Sequence, residues 1–287
     1  MSVSPSPWPR SVIVTRLRAA GCVFAEDEAR LLIAAARTPA DLATMVERRA
    51  AGLPLEHVLG WAEFCGLRIA VDPGVFVPRR RTEFLVHQAA ALVRQAALAR
   101  RSASPDHQPG VRPPPVVVDL CCGSGAVGVA LVAALPRVEL HAVDLDPAAV
   151  RCARRNVAAS GRVYQGDLYA PLPVTLRGRV DVLVANAPYV PTEAVGLLPP
   201  EARLHEPRVA LDGGADGLDV LRRVSASAPR WLAPGGHLLV ETGERQAPQT
   251  VDIVTRSGLT PRVASSDELH ATVVIGTRPD HIWPGGG

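Results

Sequence analysis

The stretch VVVDLCCGSGAVGVALV (116–132) decides the fold. It begins as a continuously apolar run, passes through a glycine-rich turn and continues as an apolar segment with helical spacing. Gly123, Gly125 and Gly128 form the pattern G-x-G-x-x-G, which permits a tight turn and lets a ligand approach the backbone closely. The helix that follows offers free N–H groups in its first turn. The stretch therefore predicts a strand, a ligand-binding turn and a helix.

Two carboxylates indicate which ligand the turn binds. Asp144 ends the next apolar run, ELHAVD (139–144), where a carboxylate can accept hydrogen bonds from both hydroxyls of a ribose. Asp119 precedes the glycines in the spacing D-x-x-x-G-x-G, which is typical of S-adenosylmethionine enzymes, whereas dehydrogenases more often have an apolar residue there. Both observations favour a nucleoside ligand over the simpler interpretation that the glycines only permit a tight turn.

The second half of the chain, residues 116–277, has the pattern of a parallel sheet. Apolar runs alternate with helical stretches, and the runs are 116–120, 139–144, 162–165, 180–185, 236–241 and 271–276. Strands that are apolar on both faces and alternate with helices predict an α/β domain whose sheet is covered by helices on two sides.

The first half is organised differently. Residues 1–9 are rich in Ser and Pro and are predicted to be disordered. Apolar residues three and four apart predict a small helical unit at 10–53, and glycines between short apolar stretches predict a β-hairpin at 54–81. Residues 82–115 are predicted to form a helix and a Pro-rich linker, and 278–287 a flexible tail.

The composition is that of a globular protein with an ample core, since 47% of the 287 residues are hydrophobic and 21% are charged. The net charge of +3 is weak, so direct binding of nucleic acid is not expected. Five cysteines without metal-like spacing indicate reduced thiols and no metal site. No apolar run reaches the roughly 18 residues that would span a bilayer, and we expect a cytoplasmic protein without a membrane partner.

A second motif, DVLVANAPYVP (181–191), places an amide at the end of an apolar strand. A buried amide without partners costs about 1 to 3 kcal/mol, so Asn186 needs something to bond with. Together with Ala187, Pro188 and Tyr189 it forms the tetrapeptide NAPY. Through this motif the chain resembles the class I methyltransferases that act on planar amide or exocyclic amino nitrogens.

Within that group the chain resembles the HemK/PrmC family, the glutamine methyltransferases of peptide-chain release factors. The likeness extends over about 10–277 and includes PLEHVLGWAEFCGLRIAVDPGVFVPRRRTEFLV (54–86), EPRVALDGGADGLDVLRRV (206–224) and LAPGGHLLVETGERQ (232–246). It implies a Rossmann-like class I methyltransferase fold with a mostly parallel seven-stranded sheet. It also implies that the helical domain before the hairpin recognises the substrate.

The resemblance assigns residues to the cofactor, S-adenosyl-L-methionine. The glycine turn would cradle its methionine part, Asp144 would hold the ribose, and Asp167 with Leu168 would lie beside the adenine. The implied cofactor-binding residues are Asp119, Cys121, Cys122, Gly123, Ser124, Gly125, Asp144, Leu145, Asp167, Leu168 and Asn186.

The same resemblance assigns the catalytic and substrate-binding residues. Asn186 and the carbonyl of Ala187 would accept the two N–H bonds of a target glutamine amide, and Tyr189 would be a wall for the flat amide. The catalytic residues would be Asn186, Ala187, Pro188 and Tyr189, and the further substrate-binding residues Arg79, Thr82, Glu83, Glu206 and Pro207. The expected partner is a release factor or another protein that carries a target glutamine.

The chain departs from the family pattern at six positions. Cys121 and Cys122 stand where small residues are usual in the glycine turn, and they either only pack there or make the turn sensitive to oxidation. Ala187 stands where Pro is usual, Arg80 and Arg81 stand where Pro and an acid are usual, and Leu168 stands where an aromatic residue is common. The alanine keeps the carbonyl that the amide contact uses, so we expect activity to survive. The two arginines are either solvated side chains or an altered surface near the entrance of the site.

Three other functions remain open at this point. The chain could methylate an exocyclic amino group of nucleic acid or of a small molecule, since such an amine resembles an amide. It could bind S-adenosylmethionine without catalysis, which the intact Asn186 and Tyr189 disfavour. A nicotinamide-dependent oxidoreductase is disfavoured by Asp119 and by the NAPY motif.

Overall fold

The computed structural model describes residues 8–102 and 113–280. The predicted disordered N-terminus, the Pro-rich part of 82–115 and the tail at 278–287 lie largely outside these residues. The helices are α1 (Arg10–Ala19), α2 (Ala25–Ala35), α3 (Pro39–Ala50), α4 (Leu55–Leu59), α5 (Glu83–Ser102), α6 (Ala126–Ala134), α7 (Pro147–Val157), α8 (Pro200–His205), α9 (Asp219–Trp231) and α10 (Ala247–Arg256). The strands are β1 (Trp61–Phe64), β2 (Leu67–Ala70), β3 (Val116–Leu120), β4 (Glu139–Asp144), β5 (Gly161–Gln165), β6 (Val180–Ala185), β7 (Leu232–Thr242), β8 (Thr260–Ser266) and β9 (Ala271–Thr277).

The first four helices share a small core of their own. Ile13 and Leu17 of α1 are fully buried with Leu32 of α2 and Val46 of α3. The four-residue spacing of Ile13 and Leu17 puts both side chains on one face of the helix. Helix α4 occupies the start of the stretch for which the sequence predicted only a hairpin, and Gly60 ends it in the left-handed region at φ 79°.

The hairpin follows directly after α4. Strands β1 and β2 pair antiparallel, from Trp61 opposite Ala70 to Phe64 opposite Leu67. The two turn residues, Cys65 and Gly66, have φ values of 51° and 71°. Positive φ at both central positions is the geometry of a two-residue type I′ turn, which matches the twist of the strands. The buried Phe64 then packs in the main core with residues of α5.

The main sheet has seven strands in the order β5-β4-β3-β6-β7-β9-β8. The first five are parallel, and β9 runs antiparallel to both β7 and β8. All five residues of β3 are buried, because helices cover both faces of the sheet. The predicted fold class, an α/β methyltransferase fold with a mostly parallel seven-stranded sheet, is confirmed. Strand β4 lies on one side of β3, and β6, which the chain reaches from β5, lies on the other side. Ligands of open α/β sheets bind at such a reversal of strand order.

Strand β8 was not among the strands that the sequence predicted. It is an edge strand paired only with β9, and all seven of its residues are exposed or half-buried. Its Thr, Pro and Ser residues give no apolar run, so the apolar pattern that revealed the other strands is missing here. Within the described residues no helix is both long and apolar enough to cross a membrane.

Candidate active site

A cavity of about 570 Å³ opens at the carboxyl ends of β3, β4 and β6. This volume lies within the range of about 300 to 1,000 Å³ found for small-molecule sites. The cavity joins the glycine turn at one end to the NAPY segment at the other. All predicted site residues line it except Gly125 and Glu83. The geometry therefore brings the predicted cofactor and acceptor residues to one connected space.

The glycine turn is held in place by a buried carboxylate. Asp119, 2% exposed at the end of β3, accepts a hydrogen bond from the backbone N–H of Gly128 in α6 at 2.9 Å. Burial raises the pKa of Asp119 to about 7, although the bond from Gly128 opposes the shift. Gly125 precedes α6 with φ 80°, and a Cβ there would also lie 3.2 Å from Val157. Gly125 therefore shapes the turn rather than lining the cavity.

Asp144 fixes the other side of the turn. Its Oδ2 accepts a hydrogen bond from Gly123 N at 2.8 Å, and its Oδ1 accepts one from Asp146 N at 2.9 Å. Burial raises the pKa of Asp144, while these two bonds lower it. Each oxygen of a carboxylate can accept more than one hydrogen bond, so both remain able to accept from a ligand hydroxyl.

The two cysteines of the turn are packed rather than reactive. Burial is the largest cause that raises the pKa of both Cys121 and Cys122, and the carboxylates of Asp119 and Asp144 raise it further. A thiol with a raised pKa stays protonated near neutral pH and is a poor nucleophile. Cys121 also adopts φ 56°, which is uncommon for a residue with a side chain.

The end of the cavity near β5 contains a residue that the sequence analysis missed. Asp167 and Leu168 follow β5 and line the cavity as expected. Arg223 of α9 also lines it, and its guanidinium donates to the carboxylate of Asp167. The one signal in the sequence is helical spacing, because Arg223 lies three residues after Val220, which lines the same cavity.

The amide of Asn186 is oriented by the chain itself. Its Nδ2 donates to Oγ1 of Thr82 at 3.3 Å, and Thr82 is only 2% exposed. This leaves Oδ1 as the amide atom for which the described residues provide no hydrogen bond. Asn186 directly follows β6 and lines the cavity. An amide held in this way presents an acceptor to any ligand that enters.

The residues after Asn186 are hydrogen-bonded to the loop at 211–213, which the sequence did not predict to be part of the site. Val190 N donates to Leu211 O at 3.0 Å, and Gly213 N donates back to Val190 O at 2.8 Å. A Cβ at Gly213 would lie 2.6 Å from the carbonyl oxygen of Pro188, so only glycine permits this approach. From the other side, Nε2 of Gln246 donates to the carbonyl of Tyr189 at 3.1 Å.

Tyr189 contacts two charged side chains at the NAPY end of the cavity, which we call the acceptor end because the methyl acceptor is expected there. Arg81 donates through Nη2 to the hydroxyl of Tyr189 and through Nε to Oε1 of Glu241, the latter at 3.1 Å. Burial and the neighbouring Glu241 raise the pKa of Tyr189 to about 12, with Arg81 opposing the shift. The phenol is therefore neutral at physiological pH.

A second ion pair joins the PRRRTE element (78–83) to the segment after α8. Arg79 donates from Nη2 to both carboxylate oxygens of Glu206 at 2.6 Å, and Val77 N donates to Oε1 at 3.2 Å. Burial raises the pKa of Glu206, and Arg79 opposes the shift. Glu83 lies elsewhere, because its Oε1 accepts from Cys65 N at 2.9 Å in the hairpin turn.

Comparison with known proteins gives consistent matches. A model of the family described as methyltransferase small domain matches residues 112–198. A release factor glutamine methyltransferase of Geobacter sulfurreducens is 37% identical over 237 residues, which are 82% of this chain and 76% of that protein. Another of Streptomyces coelicolor is 41% identical over 212 residues, 74% of this chain and 70% of that protein.

A relative with a different name is similarly close. The 4-amino-L-phenylalanine/4-methylamino-L-phenylalanine methyltransferase of Streptomyces pristinaespiralis is 40% identical over 204 residues, 70% of this chain and 65% of that protein. The matches confirm the predicted resemblance, the enzymatic class and S-adenosylmethionine as the cofactor. With a sheet, cavity and NAPY segment of the expected kind, the chain belongs to the family of release factor glutamine methyltransferases.

Proposed function

We propose that the protein transfers the methyl group of S-adenosylmethionine to the side-chain amide nitrogen of a glutamine in a protein. The first target to test is the Gly-Gly-Gln motif of a peptide-chain release factor, because relatives at 37% and 41% identity are named for release factors. The observation that carries the proposal is the orientation of Asn186, whose Nδ2 is bound to Thr82. Its Oδ1 remains to accept an N–H bond from the substrate.

The cofactor end of the cavity fits S-adenosylmethionine. Cys121 to Gly125 would surround the methionine part, Asp144 and Leu145 the ribose, and Asp167 and Leu168 the adenine. The fit is supported by the two carboxylate oxygens of Asp144: Oδ2 accepts from Gly123 N and Oδ1 from Asp146 N, and a carboxylate oxygen can accept further bonds. When bound, the cofactor supplies a methyl group attached to positively charged sulfur.

At the acceptor end, Asn186 and the carbonyl of Ala187 would each accept one N–H bond of the glutamine amide. An amide nitrogen is a poor nucleophile because its lone pair is delocalised into the carbonyl group. Two acceptors turn the nitrogen toward the methyl group and stabilise the positive charge that develops on it. Preorganised polar contacts of this kind can contribute about 3 to 4 kcal/mol to catalysis.

The surroundings of the amide suit that role. Tyr189 is neutral and held by Arg81 and Gln246, so it would form a fixed wall without removing a proton from the amide. No strong base is required before transfer, since the proton on nitrogen becomes acidic only as the methyl group arrives. An uncharged Asn at 186 is preferable to Asp, which could accept the methyl group itself.

The partner in this proposal is a protein, and neither a metal ion nor nucleic acid takes part in the transfer. Helices α1 to α3 would contribute to recognition of that partner. Arg49 of α3 donates from Nη1 to Glu201 of α8 at 2.7 Å, which ties this unit to a segment that lines the cavity. A release factor substrate would place the enzyme in the cytoplasm.

The proposal is tested with purified protein, labelled S-adenosylmethionine and three acceptors: a release factor, a Gly-Gly-Gln peptide and total RNA. We expect label on the glutamine of the peptide and of the release factor, and its loss in Asn186→Ala. Thr175→Val, a change at an exposed threonine outside the cavity, is the matched control. Label confined to RNA would contradict the proposal.

A second candidate is methylation of an aromatic amine on a free amino acid. The relative from Streptomyces pristinaespiralis is named for such a substrate and is 40% identical to this chain. An aromatic amine is flattened at nitrogen by conjugation with its ring, much as an amide is by its carbonyl group, and it offers the same two N–H bonds to Asn186 and Ala187. Adding 4-amino-L-phenylalanine as a fourth acceptor in the same assay distinguishes the two functions.

A further inference from the structure

The two arginines that depart from the family pattern do not occupy equivalent places. Arg81 lines the cavity together with Tyr189, whereas Arg80 is exposed and is not among the residues that line it. The side chain of Arg81 is 46% exposed, and its partner Glu241 is 2% exposed. The sequence assigned no role to either arginine, and the structure directs only Arg81 to the acceptor end of the site.

Arg81 is held in a fixed position by its neighbours. Its Nε donates to the buried Glu241 at 3.1 Å, its Nη2 donates to the hydroxyl of Tyr189, and its Cζ lies 5.6 Å from the centre of the Tyr189 ring. Glu241 does not line the cavity, so the ion pair has its positive end at the cavity and its negative end behind it. Such a pair attracts an anion although its net charge is zero.

The guanidinium also has donors to spare. A guanidinium has five N–H bonds, of which the contacts with Glu241 and Tyr189 use two. The other three, including both on Nη1, make no hydrogen bond to any residue that the structure describes. A planar fork of N–H donors matches the two oxygens of a carboxylate. Arg81 therefore combines a fixed position, an outward positive charge and free donors of the right geometry.

We propose that Arg81 determines substrate specificity by binding a carboxylate group of the acceptor molecule, close to the nitrogen that is methylated. The inference rests on the proposed function, in which this nitrogen lies at Asn186. The carboxylate is either an acidic side chain next to the target glutamine or the α-carboxylate of a free amino acid. A singly charged group suits this end of the cavity better than a phosphate, because Glu56, Glu201 and Glu206 also line it.

The test measures binding of matched acceptors to the full chain saturated with S-adenosylhomocysteine, by calorimetry. One pair is the blocked peptides Gly-Gly-Gln-Asp and Gly-Gly-Gln-Asn, and the other is 4-amino-L-phenylalanine and its carboxamide. We expect the carboxylate member of one pair to bind about tenfold to a hundredfold more tightly, the effect of one hydrogen bond to a charged group. The pair that shows the preference identifies the source of the carboxylate.

The variants separate this role from a structural one. Arg81→Met would leave Glu241 buried without a cation, so Arg81→Met is made both alone and together with Glu241→Gln, which keeps the site neutral. The preference for the carboxylate should disappear in both variants, return in part in Arg81→Lys and stay unchanged in Arg80→Met. The readout is the ratio of the two affinities within each pair, because loss of the bond from Arg81 to Tyr189 would weaken the binding of both members alike.

Several outcomes would overturn the inference. These are equal binding of both members of each pair, the absence of measurable binding by either carboxylate, or a preference that persists in Arg81→Met with Glu241→Gln. Tighter binding of a phosphorylated peptide than of either carboxylate would also overturn it. Methylation of Gly-Gly-Gln-Asn at the rate of Gly-Gly-Gln-Asp, together with equal binding of 4-amino-L-phenylalanine and its carboxamide, would leave the proposed function standing alone. A carboxylate preference without any glutamine methylation would leave only the inference.

Discussion

Replacing Thr82 by Val tests whether Asn186 works as an oriented acceptor. Thr82 accepts a hydrogen bond from Asn186 Nδ2 at 3.3 Å and is 2% exposed, so valine fills the same space without the acceptor oxygen. The amide of Asn186 then loses the contact that keeps its Oδ1 available for the substrate. One neutral hydrogen bond contributes about 1 kcal/mol, which corresponds to a roughly fivefold lower kcat.

Asn186→Ala provides the upper limit for this effect. It removes the acceptor itself, and loss of one preorganised donor or acceptor in an active site typically lowers kcat about a hundredfold to a thousandfold. The kcat of Thr82→Val should therefore lie between that of the parent and that of Asn186→Ala. The affinity for S-adenosylhomocysteine should change little in Thr82→Val, because Thr82 belongs to the acceptor end of the cavity.

The assay is single-turnover methylation of a Gly-Gly-Gln peptide with labelled S-adenosylmethionine, at saturating concentrations of both. Thr175→Val controls for the loss of an exposed hydroxyl, and thermal melts show whether each variant is folded. A Thr82→Val enzyme as fast as the parent would show that Asn186 needs no orienting bond. One as slow as Asn186→Ala, or one that loses cofactor affinity, would mean that Thr82 acts in another way.

Three further changes follow from the carboxylates of the site. Asp144→Ala should weaken binding of S-adenosylhomocysteine by about tenfold to a hundredfold, measured by calorimetry, since it would remove the charged hydrogen bonds proposed between Asp144 and the ribose; an unchanged Kd would contradict this role. Burial raises the pKa of Asp119 from 3.8 to about 7, so the folded protein holds a proton that the unfolded chain releases between about pH 4 and 7. The free energy of unfolding should therefore fall as the pH rises through that window. In Asp119→Asn, which keeps an acceptor for Gly128, urea titrations should show a less steep fall with pH; identical pH dependences in the variant and the parent would refute this. Arg79→Met should lower the free energy of unfolding by about 2 kcal/mol in the same titrations because it leaves the buried Glu206 unpaired. Adding Glu206→Gln should restore part of that free energy; no recovery would mean that the loss has another cause.

The cofactor half of the site could be predicted from the sequence because its contacts are local. Gly123 and Asp144, which are joined by a hydrogen bond, are 21 residues apart within one strand–helix–strand unit. The glycine spacing and the polar residue at the strand end report this contact directly. Here the residue types required for the chemistry are also those required for the turn.

The acceptor half could be predicted only in part, since its contacts join distant parts of the chain. Thr82 and Asn186 are 104 residues apart, and Arg81 and Glu241 are 160 residues apart. No periodicity links such positions, so the inward direction of Arg81 was not predictable from the sequence. Arg223 was missed for a related reason, because an arginine on an amphipathic helix has the same pattern whether it faces solvent or a cavity.

This division explains where the chain is able to change its substrate. The carboxylates of Asp119 and Asp144 accept hydrogen bonds from backbone N–H groups of the glycine turn and of α6. A change at Asp119, Gly123 or Asp144 would therefore disturb the glycine turn and the proposed cofactor site together. Ala187 and Arg81, both departures from the family pattern, lie instead at the acceptor end of the cavity. There the side chains can change while Asn186 keeps its bond to Thr82. A change at these positions would thus alter the acceptor without altering how the methyl group is supplied, and for that reason the proposed glutamine and aromatic-amine acceptors are compared in one assay on one site.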